Sequence, residues 1–493
     1  MNGHYLAVLQ QLLREAWQNV FDSWGHPEML SSITLERPAA REHGDLATNL
    51  AMIAAGRVKR PPREIAADLI SVIEADERLK MHIDAAEIAG PGFINFFLTD
   101  SALTVAVGKA LAAGDRFGAG GAEAPETILL EFVSANPTGQ LHVGHGRYAA
   151  YGDSLKRILS FAGHSVTTEF YINDYGSQIE LFGRTLAARY AQELGRDVSL
   201  PEKGYQGDYP IHIAMKPINE AGDRFLDETY PELSDAALEF FKLKGCDLVL
   251  MEMRGILELF QVEFDNWFSE RTLHESGAVD ASFEALQGAG ELFKKDGALW
   301  LRTTLYGDDK DRVLRKENGE LTYIAADIAY HMDKLSRGFK RLINVWGADH
   351  HGYVPRMKAA IEALSHDPNR LEVVIGQLVN VIEMGERKQM SKRAGTMVSL
   401  SELIDSIGVD AARFFLVDRS HDSTLDLDIE KARVKSEENP VYYVQYAHAR
   451  ICRILSKADE GGTDPGACAH SQGLEAQEKD LILKLLQFPE AVN

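Results

Sequence analysis

The stretch Glu131-Phe132-Val133-Ser134-Ala135-Asn136-Pro137-Thr138-Gly139-Gln140-Leu141-His142-Val143-Gly144-His145-Gly146-Arg147 decides how the chain is read. It joins a predicted strand, Ile128 to Val133, to a predicted helix from about Gly144 to Phe161 that stops at Gly163. The pattern His-x-Gly-His therefore falls at a helix N-terminus, where unpaired backbone N–H groups favour anions. Two imidazoles three residues apart lie on one side of such a turn. They can donate hydrogen bonds to a phosphate whose charge grows in a transition state. Gly144 lacks a Cβ, so a flat ring such as adenine can approach its backbone. Taken alone, the pattern leaves two other readings open. One is a pair of solvated histidines. The other is a metal pair, although the glutamate of HExxH is missing.

Working outward, Val166 to Ile172, Arg341 to Trp346 and Leu371 to Val381 read as strands, with a helix starting near Pro355. Strand–helix–strand order predicts an α/β fold with a doubly wound parallel sheet. That unit spans about residues 120–385, with a helical insertion at about 185–300. The first 110 residues read as a separate small α/β unit. Leu9, Leu13, Trp17 and Val20 line one face of an opening helix. A second helical run covers Leu46 to Met52, and Pro61-Pro62 opens a third helix with Ile65, Leu69 and Ile70 on its apolar side. Gly90 to Leu98 is a turn followed by a strand. Residues 112–126 read as a linker, and from about 431 to 493 the chain is helical.

Composition bounds these readings. The chain has 493 residues, which at ~150 residues per domain suggests about three domains. Hydrophobic residues are 45% and charged residues 26%, the balance of a globular chain. The net charge of −22 argues against generic coating of nucleic acid or acidic membrane, though not against a local basic site. Cys246, Cys452 and Cys468 form no CxxC pair, which fits a reducing compartment and excludes a cysteine-built zinc module. With no signal peptide and no long apolar run, the expected location is the cytoplasm, with no membrane partner.

Residues Gly385 to Thr396 carry Arg387, Lys388, Lys392 and Arg393 against Glu386, a local balance of +3. A cationic loop bounded by glycines at the edge of a parallel sheet can close over a polyphosphate; a solvated surface loop is the alternative. Ser399 and Glu402 predict a capping box for the helix that follows. Asp349-His350-His351 ends a strand at the ligand-facing edge. Its two histidines allow a metal site, but a contact to ATP or ribose is preferred.

His142-Val143-Gly144-His145 resembles the HIGH motif, and Met390-Ser391-Lys392 resembles the core of KMSKS. The pair resembles a class I aminoacyl-tRNA synthetase. Tyr171 to Gln178, Val345 to Tyr353, Met390 to Thr396 and Asn439 to Arg450 narrow the resemblance to the bacterial arginyl-tRNA synthetases. Gly44 to Met52 and Gly90 to Leu98 resemble that family's N-terminal domain. Gln389 and Arg393 depart from KMSKS, replacing its first lysine and its last serine. The resemblance implies a Rossmann-like catalytic core from 120 to 385, a mobile-loop and connecting region at 386–430, and a helical anticodon-binding domain at 431–493 that falls short of the family's usual length.

The resemblance also implies the roles. ATP and L-arginine are joined with Mg2+ on the phosphates, and tRNA(Arg) accepts the product; the expected state is a monomer. His142, His145 and Lys392 act on the phosphates. Gly144, Gly347, Asp349, His351, Met390 and Ser391 help hold ATP, within a motif region running through Ala135, Asn136, Pro137, Thr138, Gly139, Gln140, Leu141 and Val143. Asp327 and Tyr323, four residues apart on one helix face, hold the guanidinium, with Glu131 as second carboxylate, Asn136 on the α-amino group and His350 beside them. Asn95, Tyr446 and Arg450 are weak candidates for tRNA contact. For the stripe Tyr442, Tyr443, Tyr446, core packing and RNA stacking are both open. A small-molecule nucleotidyltransferase and a non-catalytic RNA-binding relative are the competing functions.

Overall fold

The computed structural model describes residues 5–227, 233–388, 397–462 and 473–492. The chain divides into two units, Met1–Glu123 with Phe161–Gly163 and Arg450–Asn493, and Ala124–Ser160 with His164–Ala449.

In the first unit the helix Tyr5–Ser23 buries Leu9, Leu13, Trp17 and Phe21, and the Trp17 indole N–H donates to the Leu69 carbonyl at 3.0 Å. Strands β1 (Leu46–Thr48), β2 (Ile83–Ala89) and β3 (Phe93–Leu98) form an antiparallel sheet in the order β1-β3-β2. The sequence predicts helix from Leu46 onward. Instead residues 46–48 pair with β3, and the helix runs Leu50–Val58. Gly44 explains the change. A Cβ there would lie 2.7 Å from the Phe96 carbonyl oxygen, so only glycine lets the chain come close enough to pair. Asn95 is buried in the middle of β3, which takes it out of consideration as a surface contact; its neighbour Phe93 is exposed. The helix Ala476–Leu486 closes this core with Ile482, Leu483 and Leu486. Its Lys479 pairs with Asp100 at 2.6 Å, and Asp480 pairs with Arg37 and Arg41.

The second unit is built on β4 (Thr127–Glu131), β5 (Ser165–Ile172) and β6 (Asn266–Ser269). A small antiparallel sheet of β7 (Leu292–Lys295), β8 (Ala298–Leu301) and β9 (Arg312–Arg315) follows, then β10 (Arg341–Gly347) and β11 (Leu371–Gly376). The central sheet has five parallel strands in the order β11-β10-β4-β5-β6. Both faces are covered: Ile128, Leu130, Phe170 and Ile343 enter one core, and Leu129, Tyr171 and Leu342 the other. The chain winds from β4 outward to β6 and then returns to β10 on the other side of β4. The crevice between the C-terminal ends of β4 and β10 is thus the switch point where such sheets bind ligands.

Two sequence expectations change here. The stretch 185–300 is not helical throughout: among its helices come β6, β7 and the start of β8, each only four residues long and too short for a periodicity to announce. The single strand expected from Leu371 to Val381 is two strands. β11 ends at Gly376, where a Cβ would lie 2.3 Å from the Tyr148 ring. β12 (Val379–Glu383) then joins a different sheet with β13 (Glu386–Arg387) and β14 (Leu425–Asp428). Among the described residues no helix is long and apolar enough to cross a membrane.

Candidate active site at the switch point

The His-x-Gly-His turn opens the helix Val143–Ala162. His142 Nδ1 accepts the backbone N–H of Gly144 at 3.1 Å and of His145 at 3.4 Å. His145 Nδ1 accepts the N–H of His142 at 3.2 Å. This is the reciprocal geometry of a capping box, made by two imidazoles in place of Ser/Thr and Glu. The rings stack 3.6 Å apart at 24°. With both Nδ1 atoms accepting, the proton of each neutral ring sits on Nε2, which is then a donor. The spacing of three residues thus caps the helix and sets two N–H donors side by side.

Just after β4, Val133 and Ser134 take φ of 69° and 45°. A β-branched residue in the left-handed region is strained, and here the strain falls at the ligand edge of the first strand. This kink ends β4 two residues earlier than the sequence predicts and turns the Ser134 hydroxyl back onto Glu131 at 2.8 Å. Asn136 donates to Gln178 Oε1 at 2.7 Å, tying the loop to the helix Ser177–Glu193. The far side of the basic loop is fixed to the same turn. Val143 N–H donates to the Val398 carbonyl at 3.1 Å, and Leu400 N–H to the Leu141 carbonyl at 2.8 Å. The Ser399–Glu402 capping box is present. Met390, Ser391 and Lys392 lie outside the described residues.

The expected arginine pocket changes in composition. Asp327, half-buried on the helix Tyr323–Ser336, accepts the Tyr353 hydroxyl; burial, with Glu131 nearby, pushes its carboxyl up to about 6. Tyr323 shares its face and is exposed. Glu131 does not offer a free carboxylate: Lys334 Nζ and Ser134 Oγ take its two oxygens. The second unmatched carboxylate is Glu270. It is buried at the start of the helix Glu270–Glu275, beside Tyr171. Burial, with Asp327 close by, raises it to about 7. Asp174 fixes its backbone by accepting from Ser269 Oγ at 2.6 Å and Arg271 N–H at 3.1 Å. The Tyr171 hydroxyl hydrogen-bonds it and His274 lies 3.6 Å away, an imidazole that burial holds below its ordinary value. Among the described residues neither Asp327 nor Glu270 has a lysine or arginine partner, so two neighbouring carboxylates stand without such a cation. Sequence reasoning missed Glu270 because no motif surrounds it. The available signal was its place at the end of an aromatic strand.

Gly347 ends β10 beside Asp349, whose Oδ1 would lie 2.7 Å from a Cβ at that glycine. His350 and His351 are exposed on the turn Ala348–Tyr353, with His350 3.6 Å from Asp349. Tyr443 and Tyr446 are exposed on the helix Pro440–Glu460, which removes core packing as the reading of that stripe.

A parallel sheet with its switch point beside an HxGH helix cap and a loop anchor is the architecture of the class I tRNA synthetase catalytic domain. The chain matches the class I (R) form of that domain over residues 106–208 and 233–453. It also matches the arginyl tRNA synthetase N-terminal domain over 7–98 and the DALR anticodon binding domain over 444–493. The arginine–tRNA ligase of Oceanobacillus iheyensis is 45% identical over 491 residues, covering 98% of this chain and 87% of that protein. That of Bacillus subtilis is 46% identical over 464 residues, covering 94% and 82%. A solved Campylobacter jejuni chain, described as an arginyl-tRNA synthetase, aligns with a TM-score of 0.73 at 36% identity over 80% of this chain and 85% of that one. The chain belongs to the arginyl-tRNA synthetase family.

Proposed function

We propose that the chain ligates L-arginine to tRNA(Arg) through an arginyl-adenylate. The arginine carboxylate attacks the α-phosphate of ATP and expels diphosphate. The terminal ribose hydroxyl of the tRNA then displaces AMP. The observation that carries this reading is the pair of carboxylates without a lysine or arginine partner among the described residues, Asp327 and Glu270, on the sheet whose switch point adjoins the His142–His145 cap. A planar guanidinium, charged at every working pH, neutralises both and can bind them by paired hydrogen bonds. Tyr323 would border it, Asn136 would take the α-amino group, and His350 would lie beside them.

Phosphoryl transfer needs position and charge neutralisation rather than covalent help. The Nε2–H groups of His142 and His145 supply donors, and Lys392 is assigned a cation on the departing diphosphate. Gly144, Gly347, Asp349 and His351 border the nucleotide, and Mg2+ arrives with ATP as part of that substrate. We read the protein as a cytoplasmic monomer. Tyr446 and Arg450 remain the proposed tRNA contacts; Asn95 is withdrawn.

The test is a charging assay across the amino acids with tRNA present. Arginine alone should support charging, and Lys392→Ala and His145→Ala should each slow adenylate formation on the order of 10²-fold. Faster charging with any other amino acid would overturn the specificity. Wild-type rates in both variants would overturn the phosphate roles.

A further inference from the structure

Glu131, Glu169, Asn266 and Asn344 are register partners on adjacent strands, so they form one polar row across the sheet and point to one face. The helix Tyr323–Ser336 and the residue after it cover that row. Glu169 is matched by Arg337 at 2.6 Å, by Tyr330 at 2.6 Å and by Asn266 at 2.5 Å. Glu131 is matched by Lys334, whose side chain is 0% exposed. Of the carboxylates Glu131, Glu169, Asp327 and Glu270, the described residues pair the first two with a lysine or arginine and the last two with neither.

Lys334 does more than cancel a charge. Its ammonium also donates to Asn344 Oδ1 at 3.0 Å. Asn344 Nδ2 then faces His331 Nε2 at 3.0 Å, and His331 Nδ1 faces the Asp327 carbonyl at 2.8 Å. These contacts have one consistent polarity: Asn344 donates to Nε2, and Nδ1–H donates to the carbonyl. It requires a neutral His331, and burial, with Lys334 nearby, depresses that imidazole to about 3.

We propose that Lys334 is a positioning and specificity-determining residue for arginine. It cancels Glu131 and, through Asn344 and His331, fixes the main chain at Asp327, so that the pocket presents two uncompensated carboxylates and not three. This rests on the reading of Asp327 and Glu270 as the guanidinium site. The groups that act on Asp327 are Glu131 from β4, Lys334 from its own helix, and His350 and Tyr353 from the turn after β10. Glu270 and Tyr171 lie on its remaining side.

The test is the pH profile of KM for arginine in three variants, with KM for ATP as the internal control. In Lys334→Gln the uncompensated Glu131 makes Asp327 harder to ionise. The acid limb of the arginine KM should move to higher pH by on the order of one unit, the scale of one neighbouring charge. In Glu131→Gln it should move to lower pH. In the double variant Lys334→Gln/Glu131→Gln it should return near wild type, and this neutral pair keeps the test open should Lys334→Gln alone fail to fold. A role confined to holding the helix would give no shift, or shifts of one sign, in Glu131→Gln and the double variant, and either result overturns the proposal. If Asp327→Asn leaves the arginine KM unchanged, it is the pocket reading that fails instead.

Discussion

Glu270 is a buried carboxylate that waits for a cation, and two consequences follow at the scale of this one residue. Glu270→Gln removes one half of the site for the guanidinium. Losing a charge-assisted pair of this kind costs about 2–5 kcal/mol. The arginine KM should rise accordingly while the ATP KM stays within about twofold, since the residues assigned to ATP are untouched. Equal rises in both constants would mean that Glu270 supports the fold and not the pocket. The second consequence concerns stability. The Glu270 carboxyl is raised from 4.5 to about 7 on folding. The folded chain thus binds that proton more tightly than the unfolded chain, and stability falls as pH rises between those two values. Without arginine, Glu270→Gln should therefore raise the Tm at pH 8 and leave it nearly unchanged at pH 4. A lower Tm at pH 8 would contradict the sign. The family resemblance implied Asp327 for the guanidinium, and its spacing of four residues from Tyr323 put both on one helix face. It could not place Glu270, because its nearness to Asp327 joins a short helix after β6 to a helix that begins more than fifty residues later.

At the scale of an element, the helix Val143–Ala162 joins structure to chemistry through one residue. His142 caps it by accepting two N–H bonds and also carries an Nε2 donor. The two roles can be separated. Asn at this position can cap but cannot put an imidazole N–H on a phosphate; Ala can do neither. His142→Asn should keep the stability within a few tenths of a kcal/mol and still slow adenylate formation on the order of 10²-fold. His142→Ala should slow it as much and lose about 1 kcal/mol besides. Urea unfolding and single-turnover kinetics on both variants check this, and equal stability in the two would show that the cap contributes nothing. The sequence announced this element as a helix from about Gly144 to Phe161, with His-x-Gly-His at its start. It did not announce the kink before it, since nothing in Val133-Ser134 marks two left-handed residues, and glycine is the usual occupant of such positions.

At the scale of the whole molecule, residues from both ends of the chain complete one core. Leu483, 4% exposed on the helix Ala476–Leu486, packs among residues of the first unit, as do Trp17 and Leu69. Leu483→Ala should cost about 2–5 kcal/mol of that unit's stability. Hydrogen exchange should report it as faster exchange in the helix Tyr5–Ser23, with the amides of Val143–Ala162 unaffected. Uniform acceleration throughout the chain would show that the two units unfold as one. The sequence presented the first 110 residues as a separate unit, and the opening helix buries Leu9, Leu13 and Trp17 as its spacing predicts, with Phe21 in the core and Val20 half-buried. Membership of the last helix in the same unit was not legible. A helix of that amphipathic pattern states that one side must be covered, not by which of several apolar surfaces.

What the sequence determined by itself is local or repetitive. The i, i+3 histidines fall on one side of a helix start, the alternation of strands and helices fixes a parallel sheet, and the Ser399–Glu402 spacing fixes where the basic loop ends. The tertiary structure alone decided which charges in the site are spoken for. Glu131 looked available from its place at the end of a strand, yet Lys334 reaches it from 203 residues away along the chain and Ser134 folds back on it. Register across neighbouring strands put Glu131 and Glu169 on one face, and helix packing delivered a cation to each but none to Asp327 or Glu270. Charge compensation in a buried site is a sum over groups within a few ångströms, and only the folded chain brings those groups together.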